Sequence, residues 1–179
     1  MMASPLVFNT PSTFFEWDGS NLTTAPPAPF ADFDSSYFGN MLVLPTGQIL
    51  LTDFFSVSVY NPTGTYKPAW QPVIQKAPTT VSPGGTYGIS GHLFNGVSQG
   101  AAYGDDSQSA TNYPIIRITN NATGHVFYSR THDHSSMAVA FNGLVSTQFD
   151  VPANQETGPS KLEVVANGIP SKPFDVNVQ

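Results

Sequence analysis

The sequence predicts an all-β protein, and three observations carry that reading. Short runs rich in β-branched and aromatic residues recur along the chain, bounded by Gly, Pro, Asn and Asp. Proline (16) and glycine (15) are abundant, as a protein of many turns requires. No stretch has convincing helical periodicity. At 40% hydrophobic and 10% charged residues, the 179-residue chain is too apolar for disorder. Length alone leaves one domain or two small ones open.

Taken in order, Phe14–Trp17 reads as a short strand closed by the tight turn Asp18-Gly19. The stretch from Thr23 to Ser36, with Pro26, Pro27 and Pro29, cannot be regular structure. Asn40–Leu44, the turn Pro45–Gln48 and Ile49–Asp53 predict a hairpin, and Val57–Tyr60 alternates before Asn61–Gly64. Four short strands in roughly fifty residues are about what one β-propeller blade needs. No internal repeat follows, and a single blade lacks the neighbours that bury its faces. The segment therefore packs on the rest of the chain or belongs with blades outside this sequence.

Tyr66–Pro72, with prolines at 68 and 72 and Trp70 as an aromatic pin, reads as a linker. Beyond it, strands are expected at about Val73–Lys76, Thr86–Gly91, Gln99–Tyr103, Tyr113–Thr119, His125–Thr131, Ser146–Val151, Lys161–Asn167 and Pro173–Val178. Seven or eight short strands over about a hundred residues match an immunoglobulin-like sandwich. Two parts follow: an incomplete blade with its linker at 1–72, and a β-sandwich at 73–179.

Composition excludes several functions. The net charge of −6, without any basic cluster, argues against a nucleic-acid surface. No apolar run approaches the length of a membrane-spanning helix. The absence of cysteine excludes disulfides, a thiolate metal site and a cysteine nucleophile. The N-terminus has neither the basic region nor the apolar core of a signal peptide, and the Met1-Met2 opening reads as part of a longer chain.

Chemistry-bearing residues concentrate between Asn95 and Val139. His132 and His134 stand at i and i+2, which in an extended strand places both rings on one side. That geometry suits a borderline metal, with Asp133 as an outer partner if the loop bends. The plainer reading is two histidines hydrogen-bonded in a turn or an interface. Gly104–Ser109, with the Asp105-Asp106 pair, offers oxygen ligands to Ca²⁺ but lacks the EF-hand spacing, and a solvated turn explains it as well. Ser135 or Ser136 beside His134 and Asp133 has the composition of a hydrolytic triad, without a Gly-x-Ser-x-Gly elbow. His125 lies at the opposite end of its strand and does not join this group. Near the N-terminus, Phe14, Phe15, Trp17, Phe30, Phe33, Tyr37 and Phe38 could form a carbohydrate platform or fill the faces of the blade. Left exposed, they would favour association. Asn21-Leu-Thr23 and Asn121-Ala-Thr123 fit the glycosylation sequon, which matters only in a eukaryotic secretory host.

With those residues in view, MLVLPTGQILLTDFFSVSVYNPTG is similar to the last blade of bacterial kelch-type β-propeller proteins. The segment from Thr86 to Ser171, including FNGVSQGAAYGDDSQSATNYPIIRIT, GHVFYSRTHDHSSMAVA and LEVVANGIPS, resembles the immunoglobulin-like early-set domain that follows such propellers. Galactose oxidase and its relatives share this layout. The resemblance implies a C-terminal portion of a larger protein, extracellular or periplasmic, partnered by the propeller of its parent protein or by another subunit. In those relatives a Thr-His pair on an early-set loop supplies a copper ligand, and here Thr131-His132 matches it. The loop then departs from the family, running Asp133-His134-Ser135-Ser136-Met137. The tyrosine–cysteine cofactor of the oxidases cannot form in a chain without cysteine. The resemblance therefore implies a non-catalytic structural or interaction module, with a copper-dependent carbohydrate or alcohol oxidase domain or a carbohydrate-binding module as alternatives.

Overall fold

The computed structural model describes residues 2–3, 5, 8–53, 55–98, 102–103, 107–108 and 113–179. It is all-β: apart from single 3-10 turns at Ser36–Phe38 and Pro68–Trp70, its regular elements are strands. The chain divides into two compact units. The first comprises Met1–Leu42, Gln48–Pro62 and Ala101–Ser109, and the second Val43–Gly47, Thr63–Gly100 and Ala110–Gln179.

The first unit is built on small sheets. Strands β1 (Met2–Ala3), β2 (Thr13–Trp17) and β3 (Leu22–Thr24) form one antiparallel sheet in that order. Strands β4 (Asn40–Val43), β5 (Ile49–Thr52) and β6 (Val57–Tyr60) form a second. The blade-like strands expected from the sequence thus separate, because Phe14–Trp17 finds Leu22–Thr24 across the Asp18 turn. That turn is tied by Asp18, whose carboxylate accepts from the Ser20 and Asn21 amides at 2.7 Å each.

The second unit holds nearly all of the core. Its strands are β7 (Val73–Lys76), β8 (Thr80–Val81), β9 (Thr86–His92), β12 (Ile115–Asn120), β13 (Val126–His132), β14 (Val145–Asp150), β15 (Gly158–Ala166), β16 (Ile169–Pro170) and β17 (Phe174–Val178). They make one continuous sheet in the order β7-β9-β14-β13-β12-β15-β17-β8, with β16 on β15. All of its pairings are antiparallel except β17 with β8. The expected strand Gln99–Tyr103 differs. Among the described residues, Ala102–Tyr103 (β10) pairs with Ser107–Gln108 (β11) in a two-stranded ribbon that belongs to the first unit, and residues 99–101 lie outside the described residues.

Strand β13 turns this sheet into two layers. Its first half, Val126–Ser129, pairs with β12, and its second half, Arg130–His132, pairs with β14. The side chains that alternate inward from both layers meet in one cluster, with Ile89, Val145 and Phe149 from one layer and Ile116, Ile118, Leu162, Val164 and Val176 from the other. Phe149, Ile116, Ile118, Leu162 and Val164 are fully buried. The result is a curled sheet with the two-layer character of a β-sandwich.

Polar side chains finish what the strand pattern begins. Asn120 ends β12 and accepts from the Ala122 and Thr123 amides at 2.9 and 3.1 Å, shaping the hairpin turn that closes at Gly124, where φ is +72°. On the outer face, Arg117 and Glu163 stand in register on β12 and β15 and pair at 2.8 Å. Gly91 lies between β7 and β14 beside the bulge in β7, and a Cβ there would meet the Val73 carbonyl oxygen and approach the Phe94 ring at 2.8 Å. Gly91→Ala is expected to destabilise the fold by about 1–3 kcal/mol, the range of overpacking at a site that cannot give way. Urea unfolding checks this, and an unchanged midpoint would contradict the packing described.

Candidate functional site

The loop that follows β13 is set by strand alternation up to His132 and by one backbone inversion after it. Thr131 points inward, is fully buried, and donates its hydroxyl to the Pro114 carbonyl oxygen. His132 therefore points outward. Its Nε2 lies 3.2 Å from Asp150 Oδ1, and its Nδ1 lies 3.0 Å from Asp133 Oδ2. Asp150 pairs with Thr86 in the ladder and accepts that hydroxyl at 2.7 Å; its register partner on β13 is Arg130, so it reaches His132 diagonally.

Asp133 has φ of +52°, in the left-handed region that a non-glycine residue seldom occupies. The chain is not extended there, so His134 does not share the side of His132. Its Nδ1 lies 2.9 Å from the hydroxyl of Thr147, an inward-facing residue of β14, and its ring meets Tyr113 edge-on at 5.0 Å. Thr147 also donates to the His132 carbonyl oxygen at 2.9 Å. A hydroxyl has one proton. With that proton on the His132 carbonyl, Nδ1 of His134 must be the donor, which leaves Nε2 as a bare lone pair. Nε2 is buried and has no hydrogen-bond partner among the described residues.

The two rings consequently titrate in opposite directions. Asp150, and then Asp133, hold the His132 pKa above the ordinary imidazole value against a smaller opposing effect of burial. Burial first, and then the charge on His132, push His134 below it. Metal ligation needs a free imidazole lone pair on each ring. Copper at His132 would have to displace one of its two carboxylate partners, and at His134 it would have to reach a buried Nε2 or take Nδ1 from Thr147. Among the described residues, no group of three or more His, Asp and Glu side chains is placed to hold a metal ion.

The serines of the loop serve the backbone. Ser135 Oγ accepts from the Ser146 amide at 2.8 Å and its own amide donates to the Ser146 carbonyl at 2.9 Å, while Ser136 Oγ accepts from the Ala138 amide. Neither hydroxyl is bonded to His134. His125, which immediately precedes β13, lies 2.7 Å from Glu156, which also accepts from Thr123. Gly104, Asp105, Asp106 and Ser109 of the calcium candidate lie outside the described residues.

The first unit carries its own polar pairs. Asp34 is buried, and its carboxyl hydrogen-bonds with Asp53; burial first, then that bond, raise its pKa. Asp53 is held low by the Ser56 hydroxyl and the Phe55 and Ser56 amides, so Asp34 is the carboxyl of the pair that takes up a proton first as pH falls. The aromatic candidates of this unit scatter. Trp17, Phe30 and Phe33 are exposed, Tyr37 stacks edge-on with Phe8 and with Phe38, and Phe14 and Phe15 line a cavity described below.

Sequence reasoning missed Asp150, Thr86 and Thr147, the residues that decide what the two histidines can do. Each lies a strand away, and only the β13–β14–β9 register brings it there. No protein-family model matches the chain, and no curated protein matches it.

The opposite shifts give a signed pH dependence. A raised histidine pKa contributes stability that is complete below the unfolded value of about 6.5 and is lost as pH rises through the folded value. A lowered one removes stability as pH falls below about 6.5, because the unfolded chain then binds the proton that the folded chain refuses. His132→Gln should therefore cost more stability at acidic than at alkaline pH. His134→Gln should flatten the loss of stability on the acid side. Chemical denaturation at a series of pH values measures both, and parallel curves for the two variants and the parent would contradict the assignments.

Proposed function

We propose that the chain is a non-catalytic structural and interaction module, the C-terminal portion of a larger kelch-type, galactose oxidase-like protein, whose first unit docks against propeller structure of the parent protein or of another subunit. The observation that carries this reading is the outer face of the β4–β6 sheet. Met41, Ile49, Leu51 and Tyr60 turn towards a cavity within the unit, so strand alternation sends Leu42, Leu50 and Val57 to the opposite side. Leu42 and Val57 are 38% and 70% exposed. A sheet with apolar residues on both faces needs a second covering layer. Among the described residues, the one buried apolar side chain of this unit is Ala31. The sequence resemblance supplies the identity of the covering layer.

The isolated chain should therefore self-associate and bind an apolar dye. Val57→Glu should reduce both, measured by sedimentation velocity and dye fluorescence, with unfolding of the β-sandwich unchanged. A parent chain that stays monomeric and binds no dye would overturn the docking role. Copper-dependent oxidase chemistry is the competing reading, resting on the Thr131-His132 pair. Equilibrium dialysis against Cu(II) separates the two. The structural reading expects substoichiometric copper that His132→Ala does not change, whereas near-stoichiometric copper lost in that variant would favour the oxidase reading.

A further inference from the structure

The first unit carries a pocket of about 160 Å³ that opens to solvent. Its walls are the β2 residues Phe14 and Phe15, the proline run Pro26–Pro29, and Ile49 and Leu51 of β5. Ser58 and one polar pair interrupt this apolar lining: Tyr60 donates its hydroxyl to Glu16 Oε1 at 2.7 Å, and both residues of the pair line the pocket. A dry cavity of about 150 Å³ lined by apolar side chains is large enough to take benzene. The space therefore fits one six-membered ring or a branched alkyl group of that size.

Charge narrows the ligand further. All six Lys and Arg residues and all four histidines fall in the second unit, so the side-chain charge of the first is acidic throughout. No cationic side chain within the unit is available to Glu16. Its carboxylate accepts one hydrogen bond from Tyr60 and keeps further lone pairs for a donor. Phe14, Phe15 and Tyr60 place aromatic residues in the lining, aromatic rings attract a cation over their faces, and the acidic field of the unit repels an anion.

We propose that this cavity binds a small organic cation, an apolar ring or branched alkyl group carrying one ammonium, with the apolar part between Pro26–Pro29 and β5 and the ammonium on Glu16. The site is distinct from the docking residues Leu42, Leu50 and Val57, which strand alternation sends to the other face of the β4–β6 sheet, although Val59 of that face also borders the pocket. It uses no residue of the His132 loop.

Calorimetric titration of the full chain with 2-phenylethylammonium tests this, beside the neutral 2-phenylethanol and the anionic phenylacetate of similar size. The expected result is saturable binding, tightest for the ammonium. Glu16→Gln should weaken it by about tenfold or more, the scale of one charge-assisted hydrogen bond, to the level of the alcohol. Ala28→Leu, which adds bulk to the wall, should remove binding of the ammonium and the alcohol alike. Absence of saturable binding, equal affinity for ammonium and phenylacetate, or a Glu16→Gln variant that binds as tightly as the parent would each overturn the proposal. Should Glu16→Gln disturb the fold by circular dichroism, the comparison of the three ligand charges and the Ala28→Leu variant still decide it.

Discussion

The second unit depends on how a single strand divides its hydrogen bonds. β13 gives its first half to β12 and its second half to β14. Without that division, β7, β9 and β14 would form a sheet separate from β12, β15, β17 and β8. With it, one continuous sheet supplies both layers, and their inward side chains reach each other. Thr131 sits just past the change of partner, buried, with its hydroxyl satisfied by Pro114. An unsatisfied hydroxyl there would carry a desolvation cost of about 1–3 kcal/mol, so this bond is a condition for the crossing.

The crossing also fixes the chemistry of the loop. Because Thr131 must point inward, His132 must point outward to Asp150, and the inverted backbone at Asp133 returns His134 inward to Thr147. One ring is held towards its charged form and the other towards its neutral form by neighbours that the fold places around them. The first unit follows a different logic. Its strands have the right composition but little buried apolar area, its side-chain charges are all acidic, and its apolar side chains divide between an open pocket and an outer face. Such a unit gains from a covering partner, whereas the sandwich already contains its core.

Much of this was legible in the sequence. The strands Val73–Lys76 and Val57–Tyr60 lie where alternation and turn residues put them, and the hairpin from Ile115 to His132 follows from β-branched runs around Asn120–Gly124. The short strands Met2–Ala3, Leu22–Thr24, Thr80–Val81 and Ile169–Pro170 were not legible, because pairings of two or three residues are decided by tertiary neighbours rather than by local pattern. The position of the loop after β13 follows from the strand pattern, but its backbone geometry does not. An extended backbone through Asp133 was the natural assumption, and a positive φ at an aspartate has no unambiguous sequence signal. The partners Asp150 and Thr147 are invisible without the strand register, since each lies more than ten residues away in the chain.

Native-state hydrogen exchange across a denaturant series tests the role of β13 most directly. If its divided pairing makes the two layers one cooperative unit, the most protected amides of β9, β12, β13, β14 and β15 converge on a single opening free energy with a common denaturant slope. If instead Arg130–His132 opens with β14 and β9 well below the free energy at which β12 and β15 open, the layers are separate units and the account is wrong.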